Sequence, residues 1–332
     1  MTLTVSYREI MNTLQACFRY YCFFACGDAV GKATEFMTPQ DIKRVFGSIT
    51  SMPDISRSIT HSDLPQYAAT DDTEQNLWLF RRYRMDRNVT IENTVDELLK
   101  WIDGTNAVEK HYIGPSSLKA LQGIKNGEDP LKAGINGTTC GGIMRVPAAV
   151  FASRLLNLDL DTCVYNALVC THNNSIALES AYAYAYALSH ALDNPGCSTR
   201  ELLDKAKEGC RIGLSKAPWI SAGASLLDRL IFLEKMDLCK YDEQTFKSFI
   251  YGVLGTGLPS YETASAVFAL NLFSQDPQKI MFLAAELGGD TDTIGALACS
   301  LACLRNLEVP LPAEFSEDVI FYNRLGEYLG FI

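Results

Sequence analysis

The sequence has eleven cysteines but no CxxC pair, and only four histidines. Cys22/Cys26 and Cys299/Cys303 each stand one helical turn apart, yet no histidine sits at matching spacing beside either pair, which argues against a zinc site. Basic charge is scarce: 29 Lys and Arg face 39 Asp and Glu, for a net charge of −10. With no local basic run to offset it, a nucleic-acid partner held through phosphates is not expected. No apolar run reaches membrane-spanning length, and Arg19 and Asp28 interrupt the apolar stretch 14–30, so neither a membrane span nor a secretory signal is expected. Long Pro/Ser-rich linkers and solenoid repeats are also missing, which predicts one domain over residues 1–332. Cys163, Cys170, Cys299 and Cys303 lie in apolar stretches, where a thiol serves as a small hydrophobe. A monomer with reduced cysteines in the cytoplasm is the expectation.

With 48% hydrophobic and 20% charged residues, the chain has the make-up of a globule able to bury a large core. Met144 to Leu156, Ser198 to Gly213, Tyr261 to Phe273 and Thr293 to Leu307 carry apolar residues at helical spacing and show no sustained alternation. Ala181 to Ala187 reads AYAYAYA, a strand-like alternation, but its alanine content and the helical pattern from Ile176 to Leu192 predict helix. Asn126-Gly127, Asn136-Gly137, Asn194-Pro195-Gly196 and Gly255 to Pro259 read as loops between helices. Pro310 to Ile332 reads as a final packed helix. The fold class is therefore all-α.

Four segments could carry chemistry. Thr70-Asp71-Asp72-Thr73-Glu74 precedes an apolar helical run and has the make-up of a capping box; it could be only a good cap. Gly288-Gly289-Asp290-Thr291-Asp292-Thr293 repeats the Asp/Thr chemistry about 220 residues downstream. In an extended stretch Asp290 and Asp292 would point the same way. Four carboxylates brought together need neutralising, and oxygen-only donors suit Mg²⁺, Mn²⁺ or Ca²⁺. Residues alone leave double capping and a two-metal site equally open. Gly27-Asp28-Ala29-Val30-Gly31-Lys32-Ala33-Thr34-Glu35 looks like a phosphate loop but has Cys26 where that loop needs Gly and Ala33 where it needs Ser or Thr. Asn136 to Arg145 is a small-residue loop opening a helix near Met144, a place where backbone N–H groups can hold a pyrophosphate; a flexible connector is the alternative. His172, in the polar island Thr171-His172-Asn173-Asn174, either faces a ligand or caps a helix.

In this order, GDAVGKATEF at 27–36, TDDT at 70–73, CGGIMRV at 140–146, TH at 171–172 and ETASAVFAL through GGDTDTIGA at 262–296 resemble the ADP-ribosylglycohydrolase family, which includes the dinitrogenase reductase-activating glycohydrolase and a lens crystallin. No single mark is specific; the ordered set is. The resemblance implies a compact all-helical domain with a binuclear Mg²⁺ or Mn²⁺ centre that removes ADP-ribose from modified proteins or small molecules. It implies metal ligation by Thr70, Asp71, Asp72, Asp290, Asp292 and Thr293, and proton handling by Glu35 or Asp292. It further implies ligand contact by Asp28, by the loop Gly141, Gly142, Ile143, Met144 and Arg145, and by His172. Cys140 replaces the usual Asn before Gly, and Asn173-Asn174-Ser175 replaces a small-residue pattern; both departures bear on substrate preference. ADP-ribosyl-arginine on a protein is the expected substrate, with ADP-ribosyl-serine or O-acetyl-ADP-ribose as the alternative. An inactive ADP-ribose reader or structural relative is the alternative of another class.

Overall fold

The computed structural model describes residues 7–110 and 113–330, so the ends of the expected 1–332 domain, with 111 and 112, lie outside the described residues. Described residues form α-helices and no strand. The first half holds α1 (Tyr7–Gly31), α2 (Pro39–Val45), α3 (Asp71–Asp86), α4 (Ile91–Thr105), α5 (Pro115–Lys125), α6 (Pro130–Ala133), α7 (Val146–Leu156) and α8 (Leu160–Leu168). The second holds α9 (Ser175–Asp193), α10 (Thr199–Lys216), α11 (Leu226–Glu234), α12 (Glu243–Phe249), α13 (Ser260–Phe273), α14 (Pro277–Ala285), α15 (Thr291–Arg305), α16 (Ser316–Tyr322) and α17 (Leu325–Leu329). The expected all-α class holds. The expected last helix is two short ones, α16 and α17, and the helix expected near Met144 begins at Val146 after a 3₁₀ turn over Ile143–Arg145.

At the centre α15 is buried along its whole length, as its all-round apolar sequence requires. It lies against α1, whose residues from Tyr20 to Val30 are buried. Glycine sets their closeness: a Cβ on Gly27 would meet the Gly295 carbonyl oxygen at 2.6 Å, and one on Gly31 would meet the Thr291 oxygen at 2.4 Å and Asp292 Cα at 2.5 Å. Arg19 donates to the carbonyls of Cys303 (3.1 Å), Asn306 (3.0 Å) and Val309 (2.7 Å), placing a cation at the negative end of α15. Around this pair, Tyr20 meets Phe151 of α7 edge-on at 5.2 Å between ring centroids, and Tyr21 meets Phe80 of α3 at 6.0 Å.

The AYAYAYA segment is helical, within α9. Tyr182 and Tyr186, one turn apart, both reach Asp161, at its carbonyl (2.6 Å) and its carboxylate (2.8 Å). Tyr184, on the opposite face, donates to the Leu297 carbonyl at 2.9 Å. The alternation that looks like a strand is thus a helix with hydroxyls aimed at two different neighbours.

Gly31→Ala forces α1 away from the start of α15 and should cost about 1–3 kcal/mol in urea unfolding. Gly114→Ala, where a Cβ meets nothing within 4 Å among the described residues, should cost less, at most about 1 kcal/mol for exchanging the glycine N-cap of α5 for alanine.

Candidate functional site

Two helix starts face one another. α3 begins with Thr70 as its N-cap, the Thr70 side chain accepting from Asp72 N. α15 begins with Asp290 in the cap position at φ −82°, ψ 60°. Asp290 and Asp292 do not lie in an extended stretch: Gly288 (φ +78°) and Gly289 (φ +77°) turn the chain, and Asp292 already belongs to the first helical turn. The turn has to be glycine, since a Cβ on Gly289 would stand 2.2 Å from the Thr256 oxygen. Thr293 Oγ1 lies 3.3 Å from Asp72 Oδ2 and 3.0 Å from Asp290 Oδ1, so the two Asp/Thr segments meet.

Their carboxylates share a buried volume with Glu35, whose side chain comes from the loop after α1. Asp72, Asp290, Asp292 and Glu35 are buried, and Asp71 is half-buried at the rim. Burial first, then mutual repulsion, pushes Asp71, Asp72 and Asp292 well above the ordinary carboxylate range. Asp290 rises to about 7, through burial and then Glu35, against hydrogen bonds from Cys140, Thr263 and Thr293. Cys140 sits beside them, its thiol raised by burial and then by Asp290 and Asp72.

The donor set suits a hard divalent cation. Asp72 Oδ1 is buried with no hydrogen-bond partner, an arrangement that costs free energy unless something else supplies the charge. Thr293 has a single hydroxyl proton for the two carboxylates it touches. Carboxylate and hydroxyl oxygens on two helix starts meet the ligand preference of Mg²⁺ or Mn²⁺.

The approach to α3 is held by side chains. Lys32 Nζ donates to the carbonyls of Pro65 (2.9 Å), Gln66 (3.2 Å) and Ala68, and its pKa falls to about 8 through burial, against the pull of Asp28. The Gly-Lys that resembles a phosphate loop is therefore a buried anchor. Asn323, between α16 and α17, donates to the Tyr67 carbonyl (2.9 Å) and accepts from Ala69 N (2.9 Å). Asp28 accepts from Thr70 N (2.9 Å), Thr73 N (3.0 Å) and Thr73 Oγ1 (2.6 Å).

Asp28, expected at the ligand, is fully buried in the structure, and its carboxylate holds the start of α3. His172 is likewise fully buried. Arg145 donates to Thr171 Oγ1, Thr171 Oγ1 lies 2.8 Å from His172 Nδ1, and His172 Nε2 lies 3.0 Å from Thr139 Oγ1. Thr171 Oγ1, which also lies 3.4 Å from the Leu168 carbonyl oxygen, thus links the Arg145 guanidinium to the His172 ring. Burial, then Arg145, pushes the His172 pKa well below the usual histidine value. The glycines of the loop clasp this ring: a Cβ on Gly141 would meet His172 Cε1 at 3.1 Å, and one on Gly142 would meet Cβ at 3.1 Å. Ile143, Met144 and Arg145 are buried too, leaving Gly141 the part-exposed member of the expected ligand loop. The loop is also pinned across the site, with Cys140 N donating to Leu258 O at 2.8 Å and Ser260 N to Thr138 O at 2.9 Å.

Sequence reasoning missed His61, whose Nε2 lies 2.5 Å from Glu35 Oε2. It stands in an irregular polar stretch nine residues before Thr70, where no periodicity marks it.

Asp28→Asn turns two amide hydrogens towards a cluster of donors. It should cost about 1.5–3 kcal/mol in chemical denaturation and weaken divalent-ion binding by calorimetry; unchanged stability with weakened ADP-ribose binding would restore a ligand-facing role.

The family profile described as ADP-ribosylglycohydrolase matches residues 24–325. The chain is 29% identical over 289 residues to the uncharacterized protein YegU of Escherichia coli, covering 83% of each. It is 26% identical over 289 residues to an uncharacterized protein of Archaeoglobus fulgidus, covering 86% of each. The solved structure of an "ADP-ribosylglycohydrolase-related protein complex" shares the fold, with a TM-score of 0.69 and 24% identity over 96% of this chain and 98% of that one. Paired Asp/Thr helix starts, the Glu35 loop and the profile match over nearly the whole chain lead to one conclusion: this chain belongs to the ADP-ribosylglycohydrolase family.

Proposed function

We propose that the protein is a metal-dependent hydrolase that cleaves the glycosidic bond between ADP-ribose and a modified side chain, with arginine-linked ADP-ribose on proteins as the preferred substrate. The observation that carries the reading is the buried carboxylate cluster drawn from three separate segments, Glu35, Asp71-Asp72 and Asp290-Asp292, with Asp72 Oδ1 left unpartnered. Carboxylates are not gathered in a core for stability, because each raises the cost of ionising the others. Cation binding offsets that cost, and family membership supplies the substrate class.

Thr70, Asp71, Asp72, Asp290, Asp292 and Thr293 would hold two Mg²⁺ or Mn²⁺ ions. Bound there, such ions polarise ribose hydroxyls and lower the pKa of water. Glu35 accepts the proton of the attacking water at a carboxylate oxygen, with Asp292 as the other acceptor in reach. His61 Nε2 lies 2.5 Å from Glu35 Oε2, which places an imidazole beside that base. Half-buried Asp71 and the part-exposed glycine loop at Gly141 bound the open side, where ADP-ribose enters. Such a protein acts on ADP-ribosylated proteins or small molecules. No helix among the described residues is long and apolar enough to cross a membrane.

The test is release of free ADP-ribose from arginine-modified and serine-modified protein in parallel, with Mg²⁺, Mn²⁺ or chelator. Arginine-linked release should dominate, vanish with chelator and fall at least about 100-fold in Asp290→Asn. Undiminished release from metal-depleted protein would overturn the metal mechanism. Binding of ADP-ribose without release from either protein would favour an O-linked small-molecule substrate first and an inactive reader second.

A further inference from the structure

Beyond the oxygen donors of the paired helix starts, the site has a nitrogen donor. One ligand atom each from Glu35, His61 and Asp292 falls within 4.8 Å of the others, and the Glu35–His61 pair is 2.5 Å apart. Ligand atoms on one ion with bonds of about 2.1–2.2 Å stand about 3 Å apart when adjacent and about 4.3 Å when opposite. Exchanging the proton between Glu35 and His61 for a metal ion thus needs an opening of about half an ångström. His61 is 9% exposed, so its imidazole is largely withdrawn from competing water. Nearby, Asp72 Oδ1 is buried without a partner, an independent sign that a positive group belongs here.

The histidine is held against the Glu35 loop by more than its ring. Ser58 Oγ accepts from His61 N at 3.1 Å and donates to Lys32 O at 3.3 Å, while Thr60 Oγ1 donates to Glu35 O at 3.2 Å. These bonds tie residues 58–61 to 32–35 and keep the His61 ring beside the Glu35 carboxylate.

We propose that His61 is a nitrogen ligand of the divalent-metal site, placed with Glu35 and Asp292 on one ion, an inference that rests on the metal-dependent reading above. A mixed nitrogen and oxygen donor set shifts preference from Mg²⁺ towards Mn²⁺, since imidazole suits first-row transition ions and Mg²⁺ keeps to oxygen.

The experiment is pulsed electron paramagnetic resonance of the full-length protein loaded with Mn²⁺, alongside calorimetric titration with Mn²⁺ and Mg²⁺. Wild type should show nitrogen-14 modulation from a coordinated imidazole, and His61→Gln should abolish it. In that variant Mn²⁺ binding should weaken about tenfold or more, with a smaller change for Mg²⁺, so the preference for Mn²⁺ narrows. If Mn²⁺ binds to wild type without nitrogen modulation, or if the modulation survives in His61→Gln, the assignment is overturned while the metal-dependent reading stands. Equal weakening of both ions, without nitrogen modulation, makes His61 only a brace for Glu35. Failure of wild type to bind either ion removes the metal-dependent reading and this assignment with it. Should His61→Gln not fold, His61→Asn removes the same imidazole, and the wild-type spectrum remains decisive against the proposal when it lacks the modulation.

Discussion

Mutual repulsion among buried carboxylates is the constraint on which the rest of this structure depends. Burial first, and then one another and Glu35, raise the cost of ionising Asp71, Asp72, Asp290 and Asp292, and a core free to relax would let them part. The surroundings therefore have to be stiff. The α1 and α15 backbones touch at Gly27, Gly31 and Gly295, a contact that leaves no slack for sliding. Thr291 Oγ1 donates to Gly31 O at 2.8 Å and accepts from Thr34 Oγ1 at 3.1 Å, fastening the Glu35 loop to the start of α15.

Irregular backbone near a buried site must have its polar groups met by something other than a helix. Lys32 takes the carbonyls of Pro65, Gln66 and Ala68; Asn323 takes the Tyr67 carbonyl and Ala69 N–H; Asp28 takes the N–H groups of Thr70 and Thr73. Two polar side chains from the end of α1 and one from near the C-terminus thus aim one short segment, and with it Asp71 and Asp72. The Arg145–Thr171–His172–Thr139 chain does the same beneath the glycine loop. In this structure Asp28, Arg145 and His172 bind backbone and side chains of the surrounding segments.

Around the oxygen donors stand a thiol, Cys140, and an imidazole, His61. Cys140 Sγ is 3.9 Å from Thr293 Oγ1, in the place where the resemblance leads one to expect an asparagine. A neutral thiol there adds no charge to a crowded cluster and lets Asp290 accept a weak hydrogen bond, which is compatible with carboxylates kept available for a cation.

Helical periodicity, the capping chemistry of TDDTE and the glycine pair before Asp290 are local properties, and they made the all-α class, the helix starts and the acidic segments legible in the sequence. The ordered motifs also pointed to the family. Roles of single side chains were less legible. Asp28 and His172 are polar residues in promising company, but whether such a side chain faces a ligand or props up a loop depends on what lies across from it. Lys32 sits in a near-miss phosphate loop because its partners are carbonyls more than thirty residues away, and His61 is invisible until the 58–61 segment folds onto the loop after α1. Local backbone preference acts over a few residues and can be read along the chain; convergence of Glu35, His61, Asp72 and Asp292 arises from close helix packing across nearly the whole sequence, which only the tertiary structure decides.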